Sequence, residues 1–281
     1  MIHPTRTCVR LAYELLKASS HNASTRLTDR APPILFLHGF LGSKRENRMM
    51  SKNLAQNLSR DVYALDLRNH GNSGHHPQHT YANMAHDVES FIHQHKLGRA
   101  TLIGHSMGAK TALTLALQSP SLIAHVVAVD NAPIKLPVGS EFSKYLQSMA
   151  RVEQENAQTH AEADEILRQY DLETPVRLWL LGNFVQDQTS HLLKSRVPLD
   201  ILQEAIDPLG DFPYCPGSAK YQGPSLFLRA LRSSFIPEDA LREIPKLFHR
   251  SEIVNLDCGH WIVQERPQQF QEEVVKFLSR Y

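Results

Sequence analysis

The sequence predicts an α/β fold, a mostly parallel central sheet flanked by helices, on three observations. Short apolar runs recur along the chain, segments with helical spacing of apolar residues lie between them, and the runs lack the polar alternation of a strand with one wet face. Continuously apolar strands are those covered on both sides, and strands alternating with helices are the pattern of parallel crossover units.

Taken in order, Val9-Arg10-Leu11-Ala12-Tyr13-Glu14-Leu15-Leu16 begins with alternation and reads as an edge strand. Ile34-Leu35-Phe36-Leu37 follows Pro32-Pro33 and runs into His38-Gly39, which fits a buried strand entering a loop. Further runs of this kind stand at 62–65, 100–103, 126–129, 226–228 and 253–256. Helical periods separate them: Leu54 and Leu58; Met84, Val88, Phe91 and Ile92; Ala109, Ala112, Leu113, Ala116 and Leu117; and finally Phe270, Val274, Phe277 and Leu278. Residues 133–222 break the alternation, being polar, helix-like and without a convincing buried strand. The core is therefore read as 9–132 and 223–281, with 133–222 inserted as a helical lid over one sheet edge; a peripheral decoration without function is the alternative.

Composition limits the partners. In 281 residues, 30 Lys+Arg against 29 Asp+Glu give a formal net charge of +1 without a basic block, so the field needed to hold a phosphate backbone is missing and nucleic acid is not expected. No run approaches the roughly 18–20 apolar residues of a bilayer crossing, so no transmembrane segment is expected. Cys8, Cys215 and Cys258 are spaced for neither a disulfide framework nor a zinc site and read as free thiols. The loop group His75, His76 and His79 reads as solvated rather than metal-binding, and neither metal nor cofactor is expected. Met1 to Lys17 is basic, with Arg6, Arg10 and Lys17 against Glu14; it reads either as an organellar presequence or as the start of the edge strand, which leaves eight residues for targeting.

The chemistry is expected at Gly104-His105-Ser106-Met107-Gly108, directly after one strand and before a helix. A serine flanked in this way can occupy a sharp, strained turn, because the two glycines lack Cβ atoms that would collide with neighbouring backbone. An unassisted hydroxyl is a poor nucleophile and needs a histidine base held in one tautomer by a carboxylate. In sheets carrying this elbow the base comes last in the chain. His260 fits, standing in Asp257-Cys258-Gly259-His260-Trp261 between the last strand and the terminal helix. Asp130, directly after the run at 126–129, should emerge on the same carboxyl edge as Ser106 and is the favoured acid. Asp239, which also reads as a helix N-cap, and Asp257 are its rivals. Acyl transfer further needs donors for a developing oxyanion: the backbone N–H of Met107 after the nucleophile, and that of Phe40 in the loop His38-Gly39-Phe40-Leu41-Gly42.

Four segments together, 37–44, Asp66-Leu67-Arg68-Asn69-His70-Gly71-Asn72-Ser73, 104–110 and Gly259-His260-Trp261, resemble the α/β-hydrolases of the abhydrolase domain-containing protein 11 group, which includes mitochondrial fungal relatives and the yeast ethanol acetyltransferases. The resemblance runs from about Val9 to Tyr281 and implies the α/β-hydrolase fold and, for localisation, the mitochondrion, with the cytoplasm as the alternative. Most such hydrolases carry the acid after the strand that follows the lid, but here that stretch, 229–235, offers a serine. Members similar to this chain place it after the preceding strand, which agrees with Asp130. Lys110 also matches the group's pattern and reads as a solvated or ion-paired helix residue, with a phosphate contact to an acyl carrier as the alternative.

The expected function is a serine hydrolase of carboxylic esters or thioesters that works through an acyl-serine intermediate, with a small acyl ester or thioester as its partner. An alcohol O-acetyltransferase making short esters from acetyl-CoA is the alternative, since the acceptor alone separates the two. A non-catalytic binding protein on a hydrolase fold is the reading from another class.

Overall fold

The computed structural model describes residues 8–18 and 31–281; residues 1–7, most of the proposed targeting stretch, lie outside them. The elements follow as β1 (Tyr13–Leu16), β2 (Ile34–Leu37), α1 (Arg48–Leu58), β3 (Val62–Leu65), α2 (Tyr81–Gln94), β4 (Ala100–His105), α3 (Met107–Gln118), β5 (Ile123–Val129), α4 (Ser140–Gln154), α5 (His160–Arg168), α6 (Thr174–Leu181), β6 (Phe184–Gln186), β7 (Leu193–Ser195), α7 (Leu199–Glu204), α8 (Ile206–Gly210), β8 (Tyr221–Ala230), α9 (Ala240–Leu247), β9 (Phe248–Leu256), α10 (Ile262–Glu265) and α11 (Pro267–Leu278). The predicted apolar runs at 34–37, 62–65, 100–103, 126–129, 226–228 and 253–256 are each a strand or part of one.

Every residue of β2, β4 and β5 is buried, as continuous apolar runs require. Side chains alternate across the sheet with a period of two, and the two faces feed separate cores. Leu35, Leu37, Leu102, Val126 and Phe227 pack on one side with α2 and α3, whereas Ile34, Phe36, Ile103, Val127 and Leu226 pack on the other with α1 and α11. α3 is buried from Met107 to Leu117, and its small residues Gly108, Ala109, Ala112 and Ala116 let the helix lie close against the strands.

Among the described residues the main sheet has seven strands in the order β1-β3-β2-β4-β5-β8-β9, all parallel except β1, which pairs antiparallel with β3. The edge strand expected over 9–16 is thus present only as Tyr13–Leu16, the alternating residues 9–12 lying outside it. Because the parallel strands point one way, the loops after β2, β4, β5, β8 and β9 share one sheet edge, where ligands of open α/β sheets bind.

The interval between β5 and β8 holds α4 to α8 and packs against that edge. Phe142 of α4 meets Phe40 edge-on with centroids 5.7 Å apart, Trp179 of α6 meets Trp261 at 5.9 Å, and the Asn183 amide donates to Leu41 O at 2.9 Å. It also contains one strand pair that the sequence reading misses, β6 with β7, antiparallel and three residues each. Three residues are too few to establish a period. β8 and β9 are longer than their apolar runs because both continue toward their N-terminal ends through polar residues, past a register shift between Tyr221 and Pro224. β9 is an edge strand and buries only its first and last residues.

Candidate active site

β4 delivers Ser106 to the carboxyl edge in a strained turn. Its φ of 53° lies on the left-handed side that L-residues rarely occupy, and its N–H donates to Val129 O of the neighbouring strand at 2.9 Å. The crowding explains the glycines: a Cβ on Gly104 would stand 2.2 Å from Gly108 O, and one on Gly108 would stand 2.4 Å from Leu37 O. The predicted elbow is formed.

β5 delivers Asp130, also at positive φ (47°), to a fully buried position on the same edge. Strain of this kind is held by surrounding structure and concentrates at functional sites. One carboxylate oxygen accepts from Ala230 N at 3.1 Å, and the other accepts from His260 Nδ1 at 2.7 Å. The geometry therefore pairs the predicted base with Asp130. The rivals stand elsewhere. Asp239 is exposed at the N-cap of α9, makes no side-chain capping bond, and so does not perform the capping read from sequence; Asp257 is exposed beside Arg232 at 3.3 Å.

Two rings pack against the His260 ring. Phe235, in the loop after β8, stacks on it at 4.1 Å and 23°, and the His105 ring lies 4.8 Å away. His105 Nε2 bonds to His260 O at 2.9 Å, and since a carbonyl only accepts, that nitrogen carries the proton. Burial lowers the His105 pKa to about 3, so the ring stays neutral. Sequence reasoning missed this contact, which joins residues 155 positions apart. Nδ1 of His260 is committed to Asp130, and His260 lines one cavity with Ser106, Phe40 and Trp261.

The proposed oxyanion amides, Phe40 and Met107, make no hydrogen bond to another group among the described residues. Met107 also opens α3, where the helix dipole favours negative charge. The loop bearing Phe40 rests on two neutral imidazoles. His38 Nδ1 donates to Gly39 O at 2.7 Å while its Nε2 accepts from Leu67 N at 3.0 Å; His70 Nε2 accepts from Leu41 N at 3.1 Å while its Nδ1 donates to Arg68 O at 2.9 Å. Burial lowers both pKa values, that of His70 well below the ordinary range. A bidentate Arg68–Asp87 pair, 2.6 and 2.8 Å with both side chains fully buried, fixes the turn bearing His70 to α2. The segment Asp66 to Ser73, noted above only as a resemblance, thus supports the loop.

Two readings are corrected. His79 is not solvated: it is 2% exposed, bonded at Nδ1 to the Asn69 amide at 3.1 Å, and burial lowers its pKa to about 3. Lys110 is neither solvated nor ion-paired: its buried ammonium donates to Gly210 O and Asp211 O and lies over the Tyr81 ring. Among the described residues no cluster of His, Cys, Asp or Glu could hold a metal ion, and no helix is long and apolar enough to cross a membrane.

A doubly covered parallel sheet with a serine elbow, and an Asp–His pair on the same edge, define the class. Residues 32–267 match the α/β hydrolase fold family, and the chain belongs to it. Among relatives it is 37% identical to the abhydrolase domain-containing protein C22H12.03 of Schizosaccharomyces pombe, over 96% of this chain and 98% of that one. It is 34% identical to the sn-1-specific diacylglycerol lipase ABHD11 of Mus musculus, over 88% and 81%, and 31% identical to ethanol acetyltransferase 1 of Cyberlindnera fabianii, over 99% and 89%. The resemblance to the abhydrolase 11 group is borne out. A marine microorganism esterase of solved structure shares the fold at a TM-score of 0.86 and 24% identity, covering 96% of this chain and 99% of its own. The chain is thus an enzyme of the hydrolase or acyltransferase kind.

Proposed function

We propose that the chain is a serine hydrolase of carboxylic esters or thioesters, acting through an acyl-serine intermediate. The observation that carries this is the 2.7 Å bond from His260 Nδ1 to a fully buried Asp130, made on the sheet edge where Ser106 and His260 line one cavity. Ser106 Oγ attacks the acyl carbonyl while His260 Nε2 takes its proton; the Asp130 carboxylate holds the imidazole in that tautomer and stabilises the imidazolium. The N–H groups of Phe40 and Met107 receive the carbonyl oxygen as it becomes an oxyanion. His260 returns the proton to the leaving alcohol or thiol. Water then attacks the acyl-serine with the same base. Residues 133–222 act as a lid, closing the edge over Ser106, which is 6% exposed.

The Cyberlindnera fabianii relative favours a second outcome of the same intermediate, in which an alcohol replaces water and an ester leaves. Exclusion of water beneath the lid sets the ratio. Labelling with a fluorophosphonate probe tests the intermediate: the wild-type chain is expected to label and Ser106→Ala is not. A chain that never labels overturns the acyl-serine reading. Incubation with acetyl-CoA and ethanol, tracking free thiol, acetate and ethyl acetate, then separates hydrolysis from transfer.

A further inference from the structure

Two spaces meet at Ser106, and the base distinguishes them. One is lined by Ser106 with Phe40, Met107 and Phe235 but without His260; the other is lined by Ser106 with Phe40, His260 and Glu46. In acyl transfer the oxyanion rests against the amide donors, whereas the leaving group rests against the base that returns its proton. The second space is therefore the leaving-group side of the site.

Its walls combine aromatic rings with one carboxylate. Phe40 meets Phe142 with centroids 5.7 Å apart, Trp179 meets Trp261 at 5.9 Å, and all four rings line the space. Glu46 Oε1 accepts from Trp179 Nε1 at 3.0 Å, and its Oε2 has room because Gly42 lacks a Cβ, which would stand 2.7 Å away. An ionised carboxylate can accept about four hydrogen bonds, so this one keeps capacity for a ligand. Among the described residues no cation pairs with Glu46. The basic side chains beside it in sequence are engaged elsewhere: Lys44 with Asp66 and Arg48 with Glu14, while Arg45 lines a different recess with Asn72 and Arg196. Glu46 reaches solvent, yet the protein packed around its carboxyl desolvates it enough to raise its pKa to about 7. A cation alongside favours the charged form and offsets that desolvation.

Size decides where such a cation stands. Beside the serine the space is narrow, 20 Å³, which admits about one water-sized group and so passes a short linker but no bulky head. The head belongs farther out, at the mouth, where Glu46 is exposed and Trp179 and Trp261 are half-buried. Tryptophan attracts alkylated ammonium groups through its ring quadrupole, and a carboxylate next to it adds opposite charge.

We propose that the leaving group of the substrate carries an alkylated ammonium on a short linker, held at the mouth between Glu46 and the rings of Trp179 and Trp261. The inference rests on the acyl-serine reading and narrows its ester or thioester to one made from a cationic amino alcohol or amino thiol. Glu46 acts on specificity alone: His260 returns the proton to the leaving oxygen or sulfur, and the ammonium keeps its charge throughout.

The test is a pair of thioesters that differ in charge and match in shape, acetylthiocholine and S-(3,3-dimethylbutyl) thioacetate. Their kcat/KM values are measured at pH 8, where Glu46 is ionised, by following the released thiol. Wild type is expected to favour the cationic thioester at least about fivefold. Glu46→Gln keeps an oxygen for the Trp179 N–H and removes only the charge; it is expected to lower the cationic-to-neutral ratio at least about threefold, and Trp179→Leu to lower it as well. A smaller wild-type preference, a ratio that Glu46→Gln shifts less than this, an equal loss on both thioesters, or a labelled chain that does not turn over acetylthiocholine overturns the proposal. Failure of the acyl-serine reading looks different: no fluorophosphonate labelling and no turnover of either thioester or of p-nitrophenyl butyrate, in which case the cation site falls with it.

Discussion

Replacing Asp130 with Asn changes one oxygen into an amide nitrogen in a fully buried site where both oxygens accept. With one acceptor left, two arrangements compete. If the amide oxygen serves Ala230 N, the NH2 faces His260 Nδ1, and the imidazole must carry its proton on Nε2, the nitrogen required to accept from Ser106. If the amide is flipped, the base is correctly poised, but the NH2 opposes the buried Ala230 N–H and leaves it unpaired, a cost of about 1–3 kcal/mol. The first arrangement is therefore favoured and the base is disabled. A carboxylate-to-amide change at such a position lowers kcat by about 10⁴, or about 5.4 kcal/mol of barrier. The assay is steady-state hydrolysis of p-nitrophenyl butyrate at neutral pH, with thermal unfolding as the control for folding. Asp239→Asn, at an exposed position outside this network, is expected to stay within about twofold of wild type. An Asp130→Asn enzyme that retains more than about a tenth of kcat, or an Asp239→Asn enzyme that loses more than it does, refutes the assignment of the acid.

Three further outcomes follow from the geometry. Gly108→Ala places a methyl group against the Leu37 and His38 carbonyls at 2.4 and 2.6 Å, so it should cost about 1–3 kcal/mol in chemical denaturation and lower kcat by displacing the loop bearing Phe40. Asp87→Ala takes the carboxylate away from the buried Arg68 guanidinium, which keeps its bond to Gln78 O; a loss of about 3–5 kcal/mol is expected, and a midpoint unchanged in urea would contradict it. Acid should destabilise the fold. His79 and His105 have folded pKa values lowered to about 3 from 6.5, so below pH 6.5 the unfolded chain binds more protons, and stability is lost progressively down to about pH 3. At pH 5 each contributes a loss of about 2 kcal/mol. Tm measured at pH 7 and pH 5 should fall, and His79→Asn should reduce the difference; an equal fall in both proteins would exclude His79 as a source.

Most of the sheet was legible because a strand buried on both faces has a composition no exposed segment can match, as β2, β4 and β5 illustrate. Asp130 was legible for a related reason: a residue following a parallel strand inherits that strand's edge. What escaped notice depends on tertiary contact. The bond between His105 and the His260 carbonyl leaves no local pattern, nor does the Arg68–Asp87 pair. Burial of His79 was hidden by polar neighbours, because His75 and Gln78 remain exposed in the same loop. The β6–β7 pair was missed for lack of length.

With the carboxylate that bonds His260 coming from β5, the turn at 231–235 after β8 supplies no carboxylate there, and what it contributes is the Phe235 ring stacked on the His260 imidazole. That turn is an opportunity for engineering. Substitutions at Phe235 would reshape the wall beside the His260 ring while Ser106 and Asp130, each directly following a different strand, stay where the sheet puts them.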